Sequence, residues 1–233
     1  MTTILIHGFW GQPADWNHVL HKLPLGEVVW APDLYEAGPL APHHSMAEWI
    51  SHFWQEVDER MGSSSVQAVG YSMGGRLLAE AIHQRPDRLT RALLLSARPA
   101  RVPREERSTF DLEWRDRFLE EDWETLEKAW QDQSVFMGSQ SVPRRRSPIL
   151  REMLGQSLVH WSPTGHQLEW DELQDLPDSV DWAFGALDQK YVEVAKGLQK
   201  QPVRGQITLL ENAGHRIPSD RADWVSDWIQ KRG

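Results

Sequence analysis

The sequence contains no cysteine, which excludes disulfide bonds, thiolate zinc sites, iron–sulfur clusters and a cysteine nucleophile. No uncharged apolar run approaches the ~20 residues that a bilayer-spanning helix requires, and the first residues show neither the basic region nor the cleavage site of an export signal. Basic residues are outnumbered, with 25 Lys and Arg against 34 Asp and Glu, and the formal charge of −9 disfavours nucleic acid and anionic membranes as partners. We therefore expect a cytoplasmic protein that neither binds nucleic acid nor inserts into a membrane.

Motifs that bind nucleotides or metals are missing as well. The sequence has no G-x-G-x-x-G motif, no Walker loop and no H-E-x-x-H pattern. His43 and His44 are adjacent, so their side chains diverge on a helix or strand and are poorly placed to share a metal ion. We expect no cofactor and no metal, and the sequence leaves the oligomeric state open.

The order of predicted elements indicates an α/β fold. Short apolar segments that read as strands alternate with longer helical patterns, which is typical of a mostly parallel sheet flanked by helices. The predicted strands are residues 3–7, 28–31, 66–70, 92–96, 180–185 and 206–210. The predicted helices are residues 16–23, 46–61, 74–84 and 222–231.

One long segment, residues 98–166, interrupts this alternation. It contains no convincing strand and two helical patterns, one of them marked by the apolar spacing of Trp123, Leu126, Ala129 and Trp130. We expect a helical lid at 98–166, inserted into a core formed by 1–97 and 167–233. The arginines of this segment are interleaved with acidic residues, so a solvated helical surface is the alternative interpretation.

The sharpest motif is G-Y-S-M-G at residues 70–74, between an apolar strand and a helical pattern. A strand followed by G-x-S-x-G and a helix predicts a nucleophile elbow with Ser72 exposed at the carboxyl edge of the sheet. A glycine-rich helix start with a structural serine is the alternative. Two further residues follow later strands in the order that this fold requires: Asp188 and then His215. His215 would take the proton of Ser72, and Asp188 would hold the imidazole in the required tautomer.

The loop after the first strand, H-G-F-W-G at residues 7–11, is placed to complete an oxyanion hole. Its donors would be the backbone amides of Phe9 and Met73. His7 itself is interpreted as a buried hydrogen-bonding residue.

Three stretches together resemble a particular family within the α/β-hydrolase superfamily: residues 70–76, residues 188–191, and the lid stretch from 114–118 through 129–136. They are similar to the 2-succinyl-6-hydroxy-2,4-cyclohexadiene-1-carboxylate synthases (MenH) of menaquinone biosynthesis. The resemblance implies substrate-binding roles for Tyr71, Arg76, Arg107, Trp130, Arg151 and Lys190. The arginine of the elbow motif follows directly from the match, whereas Arg107 and Arg151 depend on the spacing of the lid.

The resemblance also implies a lyase reaction on a small-molecule substrate with three carboxylates. In that reaction Ser72, activated by His215, would remove a ring proton, and pyruvate would leave without an acyl-enzyme. Guanidinium groups suit such a substrate because they bind carboxylates in bidentate fashion. Two alternatives remain: a serine hydrolase (carboxylesterase, thioesterase or carbon–carbon bond hydrolase) acting on a small anionic substrate, and a non-catalytic ligand-binding protein of the same fold.

The chain departs from the family pattern at two places that border the pocket. Residues 33–38 lack the usual glycine- and serine-rich turn, and S-A-R-P at 96–99 replaces a glycine-rich segment and adds Arg98. An arginine at that position is able to move a carboxylate site.

Overall fold

The computed structural model describes residues 2–231, apart from the side chain of Glu106; the outermost residues of the predicted core segments, 1 and 232–233, lie outside this range. Its centre is a six-stranded sheet, and every neighbouring pair of strands in it is parallel. The strands are β1 (Thr2–Ile6), β2 (Val28–Trp30), β3 (Val66–Tyr71), β4 (Leu89–Leu95), β5 (Val180–Gly185) and β6 (Ile207–Leu210). Their order across the sheet is β2-β1-β3-β4-β5-β6, and the expected α/β fold is confirmed.

The helices outside the long insertion cover both faces of this sheet. They are α1 (Asn17–Leu20), α2 (Met46–Met61), α3 (Met73–Gln84), α7 (Gln189–Leu198), α8 (Ile217–Asp220) and α9 (Ala222–Gln230). Successive side chains of a strand point to opposite faces, and in β4 Leu94 belongs to one buried cluster while Leu93 and Leu95 belong to the other. The sheet is therefore buried on both faces, as parallel sheets generally are.

Three helices lie between β4 and β5: α4 (Arg104–Glu120), α5 (Trp123–Gln131) and α6 (Pro148–His160). Sequence patterning predicted two helices here, and residues 96–179 as described contain no strand. The start of α6 is explained by Ser147, whose side chain caps the Leu150 amide, and by a proline at the first helical position. Its apolar positions then pack against α4.

Other boundaries differ from the predictions in ways that local chemistry explains. The predicted helix 16–23 is a 3₁₀ turn, Pro13–Trp16, followed by the single turn of α1. No prediction covered α7, which begins directly after Asp188 because the carboxylate of that residue caps the helix by accepting from the Tyr191 amide. None of the described helices is both long enough and apolar enough to span a bilayer.

Candidate active site

Ser72 occupies a strained turn between β3 and α3. Its φ of +51° lies in the left-handed region that non-glycine residues rarely adopt. The flanking glycines are required by close backbone contacts: a Cβ on Gly70 would lie 2.6 Å from the Gly75 Cα, and one on Gly74 would collide with the His7 carbonyl oxygen. The predicted strand–turn–helix geometry of the elbow is present, and it raises Ser72 into the adjacent cavity.

Ser72, His215 and Asp188 form a continuous hydrogen-bonded chain. The Ser72 Oγ lies 3.0 Å from the His215 Nε2, and the His215 Nδ1 lies 2.7 Å from the Asp188 Oδ2. With the carboxylate accepting from Nδ1, the lone pair at Nε2 is free to accept the serine proton. Asp188 is 1% exposed, so this short bond is shielded from water.

The His215 ring is held from several sides. The Ser96 hydroxyl donates to the His215 carbonyl oxygen over 2.9 Å, which fixes the backbone of the loop after β6. Aromatic centroids surround the imidazole at 4.7 Å for Tyr191 and 5.7 Å for both Phe136 and Tyr71. These contacts limit the rotation of the imidazole about its side-chain bonds.

The loop after β1 is fixed by groups that the sequence did not single out. Trp10 has a φ of +53°, its amide donates to the Tyr35 hydroxyl over 3.3 Å, and its carbonyl accepts from Arg144 Nη1 at 2.9 Å. The Arg145 Nη1 lies 2.6 Å from the Asp33 Oδ2, and the Arg145 carbonyl oxygen accepts a hydrogen bond from the Trp10 indole N–H over 3.0 Å. Two consecutive arginines of the insertion thus clamp the segment that would supply one oxyanion donor.

A cavity of about 550 Å³ opens in front of Ser72 and His215. Phe9 and Met73, the two predicted oxyanion residues, both line it. So does Trp130, whose ring centroid lies 4.6 Å from that of Phe9. Within the described residues the Trp130 indole N–H is buried without a hydrogen-bond partner. Its ring therefore forms part of the cavity wall beside Phe9.

Arg76 projects into the same cavity from the first turn of α3. Its Nη1 donates to the Trp161 carbonyl over 2.9 Å and to the His166 Nε2 over 3.0 Å. Burial and the nearby positive charge of Arg107 lower the pKa of Arg76 to about 10, so the guanidinium stays protonated at neutral pH. Burial and positive charge also hold the pKa of His166 well below its usual range, so both acceptors are neutral and neither forms an ion pair with Arg76.

Three more cations line the cavity, and they differ in their partners. Arg107 Nε donates to Asp111 over 2.7 Å, and the other carboxylate oxygen of Asp111 accepts from Ser162 at 2.7 Å. By contrast, the side chains of Lys190 and Arg98 form no hydrogen bond or ion pair with the described residues. We call Arg76, Arg98, Arg107 and Lys190 the cationic cluster; it holds a strong positive charge in a chain of net charge −9.

Two predicted substrate contacts are placed elsewhere. Arg151 does not line the cavity: its Nη1 donates to the carbonyls of Phe118 and Glu121 at the end of α4, and its guanidinium lies 4.3 Å from the Trp123 ring centroid. The expectation for Arg151 is therefore corrected. Spacing within the lid could not show that this guanidinium donates its hydrogen bonds to carbonyls at the end of a helix.

Tyr71 is likewise absent from the cavity lining. Its ring packs against Gly8, where a Cβ would lie 2.9 Å from Tyr71 Cδ1, and against the His215 imidazole. Burial raises the pKa of its phenol. In this structure Tyr71 supports the histidine from behind rather than contacting the substrate space.

Sequence reasoning also missed groups that complete the site. Tyr191 and Asp111 line the cavity, and Glu80 lies behind His166, with its Oε1 3.2 Å from the His166 Nδ1. No local motif marks Asp111, His166 or Glu80. Tyr191 ends the stretch 188–191, but only the folded arrangement shows that its ring contacts His215. In the described part of the chain no group of three or more His, Cys, Asp or Glu residues could hold a metal ion.

Comparison with known proteins places this site in a family. Residues 3–228 match the model of the alpha/beta hydrolase family, and the chain belongs to that family of enzymes. It is 24% identical over 229 residues to the putative 2-succinyl-6-hydroxy-2,4-cyclohexadiene-1-carboxylate synthase of Bacillus subtilis (strain 168), covering 92% of this chain and 83% of that protein. It is 26% identical over 232 residues to the 2-succinyl-6-hydroxy-2,4-cyclohexadiene-1-carboxylate synthase of Enterobacter sp. (strain 638), covering 91% and 83%.

A solved structure gives the same picture at the level of the fold. The structure of MenH from S. aureus superposes with a TM-score of 0.81 at 18% identity, covering 98% of this chain and 91% of that one. At such identity the likeness concerns the fold alone. The predicted resemblance to the MenH family is confirmed by these relatives.

Proposed function

We propose that this protein is a lyase of menaquinone biosynthesis that eliminates pyruvate from an enolpyruvyl tricarboxylate, giving 2-succinyl-6-hydroxy-2,4-cyclohexadiene-1-carboxylate. The observation that carries the proposal is the presence of the Ser72–His215–Asp188 chain and the cationic cluster in one cavity. Two synthases with this activity in their names match more than nine-tenths of the chain. A neutral ester would have no use for several unpaired cations beside the serine.

The reaction needs a base, a stabilised anion and a leaving group. His215 takes the Ser72 proton as Ser72 Oγ removes a proton from a ring carbon, and Asp188 stabilises the imidazolium that forms. The electron pair of the broken C–H bond forms a ring C=C bond as the C–O bond to the enolpyruvyl group breaks. The departing enolate of pyruvate takes a proton on carbon, which restores the neutral triad. Backbone amides of Phe9 and Met73 stabilise the oxyanion that develops.

The cavity lining supplies the contacts for such a substrate. Arg76 and Lys190 provide positive charge that has no ion-pair partner among the described residues, and the Trp130 ring provides part of the cavity wall. Arg107 shares its charge with Asp111 and so contributes less to the field. We assign substrate binding to Arg76, Arg107, Trp130 and Lys190, and retain the segment 98–166 as the lid that carries two of them.

The triad chemistry would equally serve a serine hydrolase acting on a small anionic ester, so the test compares the two reactions. Pyruvate release from the enolpyruvyl tricarboxylate and hydrolysis of short p-nitrophenyl esters are measured on wild type, Ser72→Ala and Arg76→Ala. The lyase proposal expects rapid pyruvate release that both substitutions cripple, together with negligible ester cleavage. Fast Ser72-dependent ester cleavage without pyruvate release would replace the proposal by the hydrolase. Inactivity in both assays and no labelling of Ser72 by a fluorophosphonate would favour a binding protein.

A further inference from the structure

The loop that follows β4 carries Arg98 to the cavity on a well-fixed backbone. Ala97 and Ala100, on either side, are fully buried. Further along the loop, the Arg101 amide donates to the Leu168 carbonyl over 2.9 Å and the Val102 amide donates to the Pro163 carbonyl over 3.1 Å. The position of the Arg98 backbone is therefore set before any ligand arrives, which reduces the entropy lost on binding.

The side chain of Arg98 is half-buried and lines the cavity, yet no described residue neutralises it. A guanidinium withdrawn from bulk water normally acquires an anionic or hydrogen-bonding partner, because an unpaired buried charge is costly. Every other arginine of the cationic cluster has such a partner: Arg76 donates to Trp161 and His166, and Arg107 pairs with Asp111. Arg98 therefore keeps its whole donor set for a ligand.

The charge of Arg98 acts on the same space as the rest of the cluster. It lowers the pKa of Lys190 together with burial and Arg107, and it helps to keep His166 neutral. Arg151, which the lid spacing assigned to the pocket, instead donates its hydrogen bonds to the carbonyls at the end of α4. The cavity thus lacks one expected arginine and contains another, which comes from the loop directly after β4.

We infer that Arg98 binds a carboxylate of the substrate in bidentate fashion and determines the specificity of this site for polycarboxylates. This inference rests on the proposed function and deepens it. Lys190, which likewise has no hydrogen-bond or ion-pair partner among the described residues, lines the same cavity as Arg98, and so does Arg76. A substrate that lacks the corresponding carboxylate leaves Arg98 unpaired and is discriminated against for that reason.

The first test uses a stable probe and needs no turnover. Propane-1,2,3-tricarboxylate is titrated calorimetrically into wild type, Arg98→Met, Arg98→Lys and Arg101→Met. Loss of a charge-assisted bidentate contact is expected to weaken binding by Arg98→Met about 10- to 100-fold. Arg98→Lys recovers only part of this loss, because an ammonium cannot form the fork-shaped contact. Arg101, in the same loop, is 53% exposed, pairs with Glu169 and does not line the cavity, so Arg101→Met binds as wild type does.

Steady-state kinetics provide the second readout. In pyruvate release, Arg98→Met raises KM about 10- to 100-fold and changes kcat by less than about 3-fold, because the contact binds substrate and transition state alike. Circular dichroism of Arg98→Met checks that this variant is folded, and Arg101→Met controls for the loss of a positive charge from the same loop. A structural role alone would lower the melting temperature without this separation of KM from kcat.

The two proposals fail in distinguishable ways. If wild type and Arg98→Met bind the tricarboxylate within about twofold of each other, or if wild type does not bind it at all, the assignment of Arg98 is overturned. If wild type binds the tricarboxylate through Arg98 but releases no pyruvate, the lyase proposal is overturned and the carboxylate site stands.

Discussion

The triad and the cationic cluster line one cavity but are built in different ways. Each triad member follows a parallel strand, so the geometry of the sheet alone brings Ser72, Asp188 and His215 to the same edge. The four residues of the cluster come from α3, the loop after β4, α4 and α7, which meet at the cavity only in the folded chain. Chemistry that depends on sheet topology is thus readable from motifs, whereas substrate recognition depends on which arginines remain unpaired after folding.

The first way to break this comparison is to remove the Ser72 hydroxyl. Ser72→Ala is expected to lower kcat for pyruvate release by at least about 10³-fold, because it removes the hydroxyl that relays the ring proton to His215 in the proposed reaction. The KM should change by less than about threefold, since the cluster is untouched. Ser51→Ala, an exposed serine of α2, is the matched control. A variant that retains most of the activity would contradict the role of Ser72.

The acid member should come next in size. Asp188→Asn is expected to cost about 10²- to 10⁴-fold in kcat, because an amide at this position favours the wrong imidazole tautomer. Asp87→Asn, at an exposed turn, controls for the loss of a negative charge. Rates of pyruvate release at saturating substrate provide the measurement, and an equal small effect of the two substitutions would count against the triad.

The clamp formed by Arg144 and Arg145 sharpens the comparison because it connects the insertion to the loop after β1. Arg144→Ala removes the donor to the Trp10 carbonyl and is expected to lower kcat roughly 10-fold, less than the 10²–10³ for losing an oxyanion donor itself. Arg146→Ala is the control, since Arg146 pairs with Glu127 on the lid surface. If Arg144→Ala changes KM but leaves kcat unaltered, the clamp does not position the oxyanion loop.

The smallest kinetic effect is expected at Arg151. Removing its hydrogen bonds to the carbonyls at the end of α4 should lower the free energy of unfolding by about 1–2 kcal/mol, as read from urea denaturation. The KM of Arg151→Ala should stay within about twofold of wild type. A tenfold rise in KM with unaltered stability would instead support substrate binding by Arg151.

These expectations show what the sequence can and cannot predict. The sheet, the elbow and the order of the triad were predictable because each depends on local patterns: apolar periodicity, close-packed glycines and residues that follow strands. Trp130 and Arg76 line the cavity, and their contacts with substrate stay a prediction; the first was singled out by the lid resemblance and the second by its place one turn after Ser72. Arg151 and Tyr71 do not line it, because their surroundings are set by tertiary contacts.

From the sequence, Arg98 stands out only as a departure from the family pattern. Its importance depends on two facts that no motif contains: the loop carries it into the cavity, and no carboxylate of the described residues reaches it. The clamp formed by Arg144 and Arg145 was similarly hidden, because its partners Trp10 and Asp33 lie more than a hundred positions earlier in the chain.

The most direct test of elimination is a rapid-quench experiment on wild type with the enolpyruvyl tricarboxylate, in which pyruvate and the intact mass of the protein are followed together. The account predicts that pyruvate accumulates over many turnovers while the protein keeps its unmodified mass, because Ser72 acts as a base and forms no acyl-enzyme. An adduct on Ser72 that forms and decays during turnover, with no release of pyruvate, would contradict it.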